Sequence, residues 1–153
     1  MSKQAECVII YTDGGCQPNP GAGGWAAVLQ YKGRTRELSG GEPHTTNNRM
    51  ELTAVIEALA ALKRSCKVVV HTDSEYVKRG VTEWLPAWKR RGWRRHGGAL
   101  KNEELWRRLD DLGARHEIEW KWVPGHAGVA LNERCDELAS AMIAAQRERK
   151  QLD

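Results

Sequence analysis

Phenylalanine is absent from the 153 residues, and no apolar stretch approaches the length of a membrane-crossing helix. The opening residues, Met1 to Gln4, have no apolar core of the kind a secretory signal needs. Cysteine is scarce. Cys7, Cys16, Cys66 and Cys135 form no close pair and share no zinc-type spacing with histidine. These absences argue against a disulfide scaffold and a zinc site, and predict a reduced, cytoplasmic chain. Cys7 and Cys135 sit in apolar runs, where a thiol behaves as a small core residue. Internal repeats, low-complexity segments and linkers are also missing, so residues 1–153 are read as one domain.

What is present is ordinary for a soluble globular chain, with 41% hydrophobic and 29% charged residues. A chain of this length buries enough surface to fold without disulfides or a structural metal. The net charge of +4 points only weakly to an acidic partner. Its distribution says more. Lys78 to Arg108 holds ten basic and three acidic residues, a net +7, which leaves −3 for the rest. Four of the seven tryptophans, Trp84, Trp88, Trp93 and Trp106, fall in the same window. Cations meet phosphates and rings meet sugars and bases, so the mixture suits a nucleic-acid surface. A solvated basic helix over buried tryptophans is the competing reading.

The pattern predicts a mixed α/β layer fold. Cys7 to Tyr11 reads as a buried strand ending at Asp13-Gly14-Gly15. Trp25 to Tyr31 and Arg34 to Ser39 complete an antiparallel meander, with Gly40 to His44 as a loop. Thr45 to Arg64 reads as a helix capped by Thr46 or Asn47. Lys67 to Thr72 is a second apolar strand, and Ser74 can cap a short helix. Pro86 argues against a clean helix over Thr82 to Trp88. Arg90 to Leu100 reads as a basic loop, and Asn102 to Leu112 as a helix. Glu117 to Val123 alternates as a half-buried strand. Asn132 to Arg149 is a terminal helix with Cys135, Leu138, Met142 and Ile143 inward, followed by a fraying tail.

Asp13 and Asp73 each end an apolar strand. Neighbouring strands lie about 4.8 Å apart, so the two carboxylates meet if those strands pair. Alone, each fits an ordinary turn or helix cap. Glu51 shares a helical stripe with Val55, Ala58 and Leu62, which should face the sheet. A buried ionised carboxylate is costly unless paired or bound to metal, although a place near the helix start also favours negative charge. Asp136 lies in the first turn of the last helix, where the same favour applies. If the four acids converge they repel, and each raises the others' pKa. Divalent cations relieve this, and oxygen donors suit Mg²⁺ or Mn²⁺. His126 sits between Gly125 and Gly128, on a loop able to move, where it can transfer a proton near neutral pH.

These residues make the chain recognisable. It resembles bacterial type 1 ribonuclease H through Tyr11-Thr12-Asp13-Gly14-Gly15-Cys16, Asn19-Pro20-Gly21 and Thr45-Thr46-Asn47-Asn48-Arg49-Met50-Glu51-Leu52. The likeness continues in Thr72-Asp73-Ser74, Trp88-Lys89-Arg90-Arg91-Gly92-Trp93, Val123-Pro124-Gly125-His126-Ala127-Gly128 and Asn132-Glu133-Arg134-Cys135-Asp136. The resemblance implies a five-stranded mixed sheet with helices on both faces. It implies endonucleolytic cleavage of the RNA strand of an RNA–DNA hybrid, leaving 5′-phosphate and 3′-hydroxyl ends. Asp13, Glu51, Asp73 and Asp136 would hold two Mg²⁺ ions, with Mn²⁺ as the alternative, and His126 would assist proton transfer or product release. Cys16, Asn19, Asn47 and Asn48 would meet the hybrid's minor groove, and Thr46 would also bind substrate. Trp84, Trp88, Lys89, Arg90, Arg91 and Trp93 would form a basic protrusion, at about 82–100, that grips the DNA strand.

Glu75 stands where bacterial relatives commonly carry glutamine, and Pro86 precedes the protrusion. Monomer is the default expectation, without membrane attachment. A binding module using the basic face would need no acid cluster. A DNA-cutting nuclease of the same broad fold would not need the two asparagines before Glu51.

Overall fold

In a computed structural model, residues 7–93, 101–123 and 130–152 are described. The strands are β1 (Cys7–Cys16), β2 (Gly21–Tyr31), β3 (Arg34–Thr45), β4 (Lys67–Thr72) and β5 (Glu117–Trp122). The helices are α1 (Asn47–Ala60), α2 (Glu75–Arg79), α3 (Leu85–Arg90), α4 (Glu103–Gly113) and α5 (Ala130–Leu152). The strands form one sheet in the order β3-β2-β1-β4-β5. β1–β2 and β2–β3 are antiparallel, whereas β1–β4 and β4–β5 are parallel. This is the expected five-stranded mixed sheet.

Helices cover both faces. On one, Ile10, Leu52, Ile56, Leu59, Val68, Val70 and Trp106 join a large core beneath α1 and α4. On the other, Ala26 and Val28 meet Cys135 and Ala139 of α5. Burial alternates along β1, β4 and β5 because successive side chains point to opposite faces. Thr46 caps α1 by accepting from the Arg49 N–H at 3.2 Å, and the helix stops at Ala60 rather than reaching Arg64. Ser74 caps α2 as expected, accepting from the Val77 N–H at 3.1 Å.

Four further local expectations change. β1 does not end at Asp13; it continues to Cys16 because Asp13, Gly14, Gly15 and Cys16 remain paired with β2. Gly40 to His44 belongs to β3 instead of a loop. Gly40, Gly41 and Glu42 pair with Trp25, Gly24 and Gly23, and the Trp25 ring lies over Gly40. Pro86 does not break the helical path. A π-helical turn over Gly80–Trp84 leads directly into α3, whose first turn holds the proline, where no intrahelical N–H is required. α5 also begins at Ala130, two residues before the expected Asn132, and extends to Leu152.

Candidate active site

The parallel pairing of β1 and β4 ends with Tyr11 opposite His71. Asp13 and Asp73 each follow two residues later, on adjacent chains at the same edge of the sheet. There β1 stays with β2 while β4 ends, and Val123 closes the far side by donating its N–H to the Thr72 carbonyl at 3.0 Å. Asp13 accepts from the Gly14 N–H through Oδ1 at 2.9 Å.

Glu51 reaches this edge because α1 approaches β1 unusually closely. A Cβ on Gly14 would stand 2.5 Å from the Met50 carbonyl carbon and 2.6 Å from the Glu51 nitrogen. Only the missing side chain lets the first turn of α1 sit there. The Ser74 hydroxyl donates to Glu51 Oε1 at 2.9 Å while its oxygen caps α2. Ser74 is buried, and its own N–H donates to Thr72 Oγ1 at 3.1 Å. One serine thus ties Glu51 to the strand end that carries Asp73.

Asp136 is exposed on α5, beside buried Cys135. The Cys135 thiol donates to the Tyr11 carbonyl at 3.2 Å, anchoring α5 two residues before Asp13. Burial, with the Asp13 charge adding to it, pushes this thiol up to about 12. It is a structural donor at neutral pH, not a nucleophile.

The acids interact electrically. Burial, then the Asp73 charge, raises Asp13 from its ordinary 3.8 to about 7. Asp136 adds to that rise through its charge and a shared hydrogen bond, against the Gly14 N–H. Burial likewise raises Glu51 from 4.5 to about 7. The Ser74 hydrogen bond opposes the rise, while Asp73 and Asp13 reinforce it. Among the described residues, no three His, Cys, Asp or Glu side chains form a ready-made coordination cluster. The donor set is nevertheless all carboxylate oxygen, with Asp13 and Glu51 half-buried and Asp73 and Asp136 exposed, which fits a hard divalent cation.

The other expected contacts divide by location. Near the acids, the Cys16 thiol donates to the Pro18 and Thr45 carbonyls at 3.1 and 3.2 Å. Asn19 Oδ1 accepts from the Asn47 N–H at 3.1 Å, holding the loop after β1 against the start of α1. Thr46 and Asn48 are exposed beside it. The second group is the arm. Trp106 is fully buried, and Trp84, Trp88 and Trp93 are half-buried around it or one another, with centroids 5.8 to 6.4 Å apart. The buried tryptophans of the competing reading are therefore present. Lys89 pairs with Asp110 at 3.1 Å, and Arg90 and Arg91 are exposed. His126 lies outside the described residues.

Sequence reasoning missed a hub between the two groups. The Tyr76 hydroxyl accepts from Trp106 Nε1 at 3.0 Å and Asn102 Nδ2 at 3.1 Å. Arg49 donates to Asn102 Oδ1 at 3.3 Å and Glu104 Oε1 at 2.7 Å. The start of α1 is thereby joined to the aromatic arm. Ser74 was also legible only as a cap, although its place beside Asp73 was visible in Thr72-Asp73-Ser74.

The family model for RNase H matches residues 5–144. The chain belongs to the RNase H family. It is 61% identical over 140 residues to Ribonuclease H of Pseudomonas paraeruginosa, covering 91% of this chain and 95% of that protein. Among solved RNase H structures, LC9-RNase H1, described as a type 1 RNase H with the type 2 active-site motif, superposes with a TM-score of 0.82. It is 36% identical and covers 93% of this chain and 74% of its own. LC11-RNase H1, solved in complex with an RNA/DNA hybrid, gives a TM-score of 0.69 at 27% identity. That match covers 90% of this chain and 97% of its own.

Proposed function

We propose that this RNase H hydrolyses the RNA strand of RNA–DNA hybrids in a divalent-cation-dependent reaction, leaving 5′-phosphate and 3′-hydroxyl ends. The observation that supports the reading is the gathering of carboxylates about Asp13 at one sheet edge, where it shares a hydrogen bond with Asp136 and the charges of Asp73 and Asp136 act on it, while Glu51 is tied through Ser74 to the strand end that carries Asp73. These residues would hold Mg²⁺, or Mn²⁺ in its place. Bound there, two such ions supply charge at the attacking and leaving oxygens of a phosphodiester and make water a better nucleophile.

The chain's own groups do the rest. Ser74 keeps one Glu51 oxygen occupied and so orients the other. Gly14 sets how closely Glu51 approaches Asp13. His126 moves a proton near the cut bond or aids product departure. Cys16, Asn19, Asn47 and Asn48 face the minor groove, where an asparagine amide can both donate to and accept from a 2′-hydroxyl, and Thr46 also binds substrate. The arm of Trp84, Trp88, Lys89, Arg90, Arg91 and Trp93 holds the DNA strand by charge and ring contact. All four acids come from one copy, so a cytoplasmic monomer suffices.

The test compares end-labelled hybrid, double-stranded DNA and single-stranded RNA, with Mg²⁺, with Mn²⁺ and with chelator. Only hybrid RNA is cut, and only with cation. Cleavage of duplex DNA at a similar rate would replace this reading with a DNA nuclease. In the same assay, His126→Ala slows turnover about 10²-fold without changing the cation requirement. An unchanged pH–rate profile would remove His126 from proton transfer.

A further inference from the structure

The tip of the aromatic arm carries a tryptophan in a conformation that few side chains adopt. α3 ends at Arg90, and the chain then turns through Gly92 and Trp93, both left-handed, with φ of 63° and 67°. The Gly92 N–H donates to the Lys89 carbonyl at 3.1 Å, and the Trp93 N–H to the Trp88 carbonyl at 2.8 Å. This pair of bonds is a Schellman stop, which places glycine at its left-handed position and brings the flanking apolar residues together. Trp88 and Trp93 make that apolar contact, with ring centroids 6.1 Å apart. Glycine takes the left-handed conformation freely. A bulky residue takes it only where its surroundings hold it there.

Part of that hold comes from another helix. The Arg107 guanidinium of α4 lies 4.6 Å from the centre of the Trp93 ring, the shortest cation–ring contact among the described residues. Its Nε donates to Glu103 Oε2 at 2.7 Å, one turn back on α4, which fixes the guanidinium over the ring. Trp93 is thus held by Trp88 from its own helix and by Arg107 from a second one. Lys89 and Asp110, 3.1 Å apart, tie the same two helices together. Arg107 is exposed, as Arg90 and Arg91 are. A direct phosphate contact is nevertheless the poorer reading, because Glu103 already meets its charge and the indole already meets its flat face.

A free indole at a helix end samples several rotamers, and a strand that stacks on it must first order it. A ring already held in place loses less freedom on binding. We propose that Arg107 is a positioning residue of the arm, holding the Trp93 ring in the orientation that meets the DNA strand and so setting hybrid affinity from outside the acid cluster. The proposal rests on the RNase H reading of the arm given above.

The experiment measures hybrid binding and steady-state cleavage for wild type, Arg107→Gln, Arg107→Lys, Trp93→Ala and the double variant Trp93→Ala, Arg107→Gln. Arg107→Gln should weaken binding and raise KM about threefold to tenfold, with kcat and the salt slope of binding at their wild-type values. Arg107→Lys keeps the charge but loses the flat guanidinium, and should not restore wild-type affinity. Trp93→Ala should weaken binding at least as much, and adding Arg107→Gln to it should change nothing more, because Arg107 acts through the ring. The Trp93 indole N–H resonance, assigned by its loss in Trp93→Ala, should shift in Arg107→Gln. Wild-type binding by Arg107→Gln would overturn the proposal while leaving the arm in its role, as would additive effects of the two substitutions or a fall in kcat at unchanged KM. Full rescue by Arg107→Lys with a lower salt slope for Arg107→Gln would make Arg107 a phosphate contact instead. Failure of wild type to bind hybrid would overturn the reading of the arm and the proposal together.

Discussion

Asp13 shows why single residues here are costly to the fold and useful to the reaction. In an unfolded chain its carboxyl ionises near pH 4, whereas in the fold it retains its proton up to about 7. Between these values the folded state binds more protons, so Asp13 makes cation-free stability fall as pH rises through that window. Asn cannot ionise. Cation-free Asp13→Asn should therefore be more stable than cation-free wild type at about pH 8, by about 1–3 kcal/mol, and the gap should close near pH 4. Urea denaturation at both pH values checks this, and a variant less stable at about pH 8 contradicts it. The acidic residues themselves were legible because two follow apolar strands and Glu51 shares a stripe with Val55 and Ala58. Their coupling was legible only on the condition that they converge, since the approach of Glu51 depends on Gly14 admitting α1 and on Ser74 bridging two helices, and both are three-dimensional facts.

At the scale of elements, the tryptophans of the arm are held in place by packing. A Cβ on Gly80 would stand 1.9 Å from the Trp106 ring. Gly80→Ala should thus displace Trp106 and cost about 1–3 kcal/mol by overpacking, read as a lower denaturation midpoint. A neutral outcome would mean the ring has room to move. The same neighbourhood explains a misjudgement from sequence. Pro86 suggested an interrupted helix, but a π turn over Gly80–Trp84 places the proline in a new first turn. Hydrophobic periodicity does not encode such a change of helical pitch. The glycines at 40 and 41 similarly read as a loop because their pairing is dictated by Trp25 and Gly24 across the sheet. Charge on the arm makes a separate prediction. Replacing Lys89, Arg90 and Arg91 with Gln should weaken hybrid binding and flatten its salt dependence by about one unit of slope per lost phosphate contact. Arg90 and Arg91 should dominate, because Lys89 already pairs with Asp110. An unchanged slope would make the arm a solvated face only.

For the whole molecule, the segregation of charge along the chain becomes segregation in space. Acids collect at one edge of the sheet, and cations occupy the arm. A mixed α/β layer fold followed from the alternation of strands and helices, and the family resemblance implied five strands covered on both faces, whereas the order of the strands came only from the structure. The central claim is that the four coupled acids perform hydrolysis while other surfaces hold the hybrid. Its most direct measurement is cleavage and binding of one labelled hybrid by wild type and Asp13→Asn with Mg²⁺ present. The account predicts that the variant binds the hybrid but leaves its RNA intact. Cleavage by Asp13→Asn at the wild-type rate would contradict it.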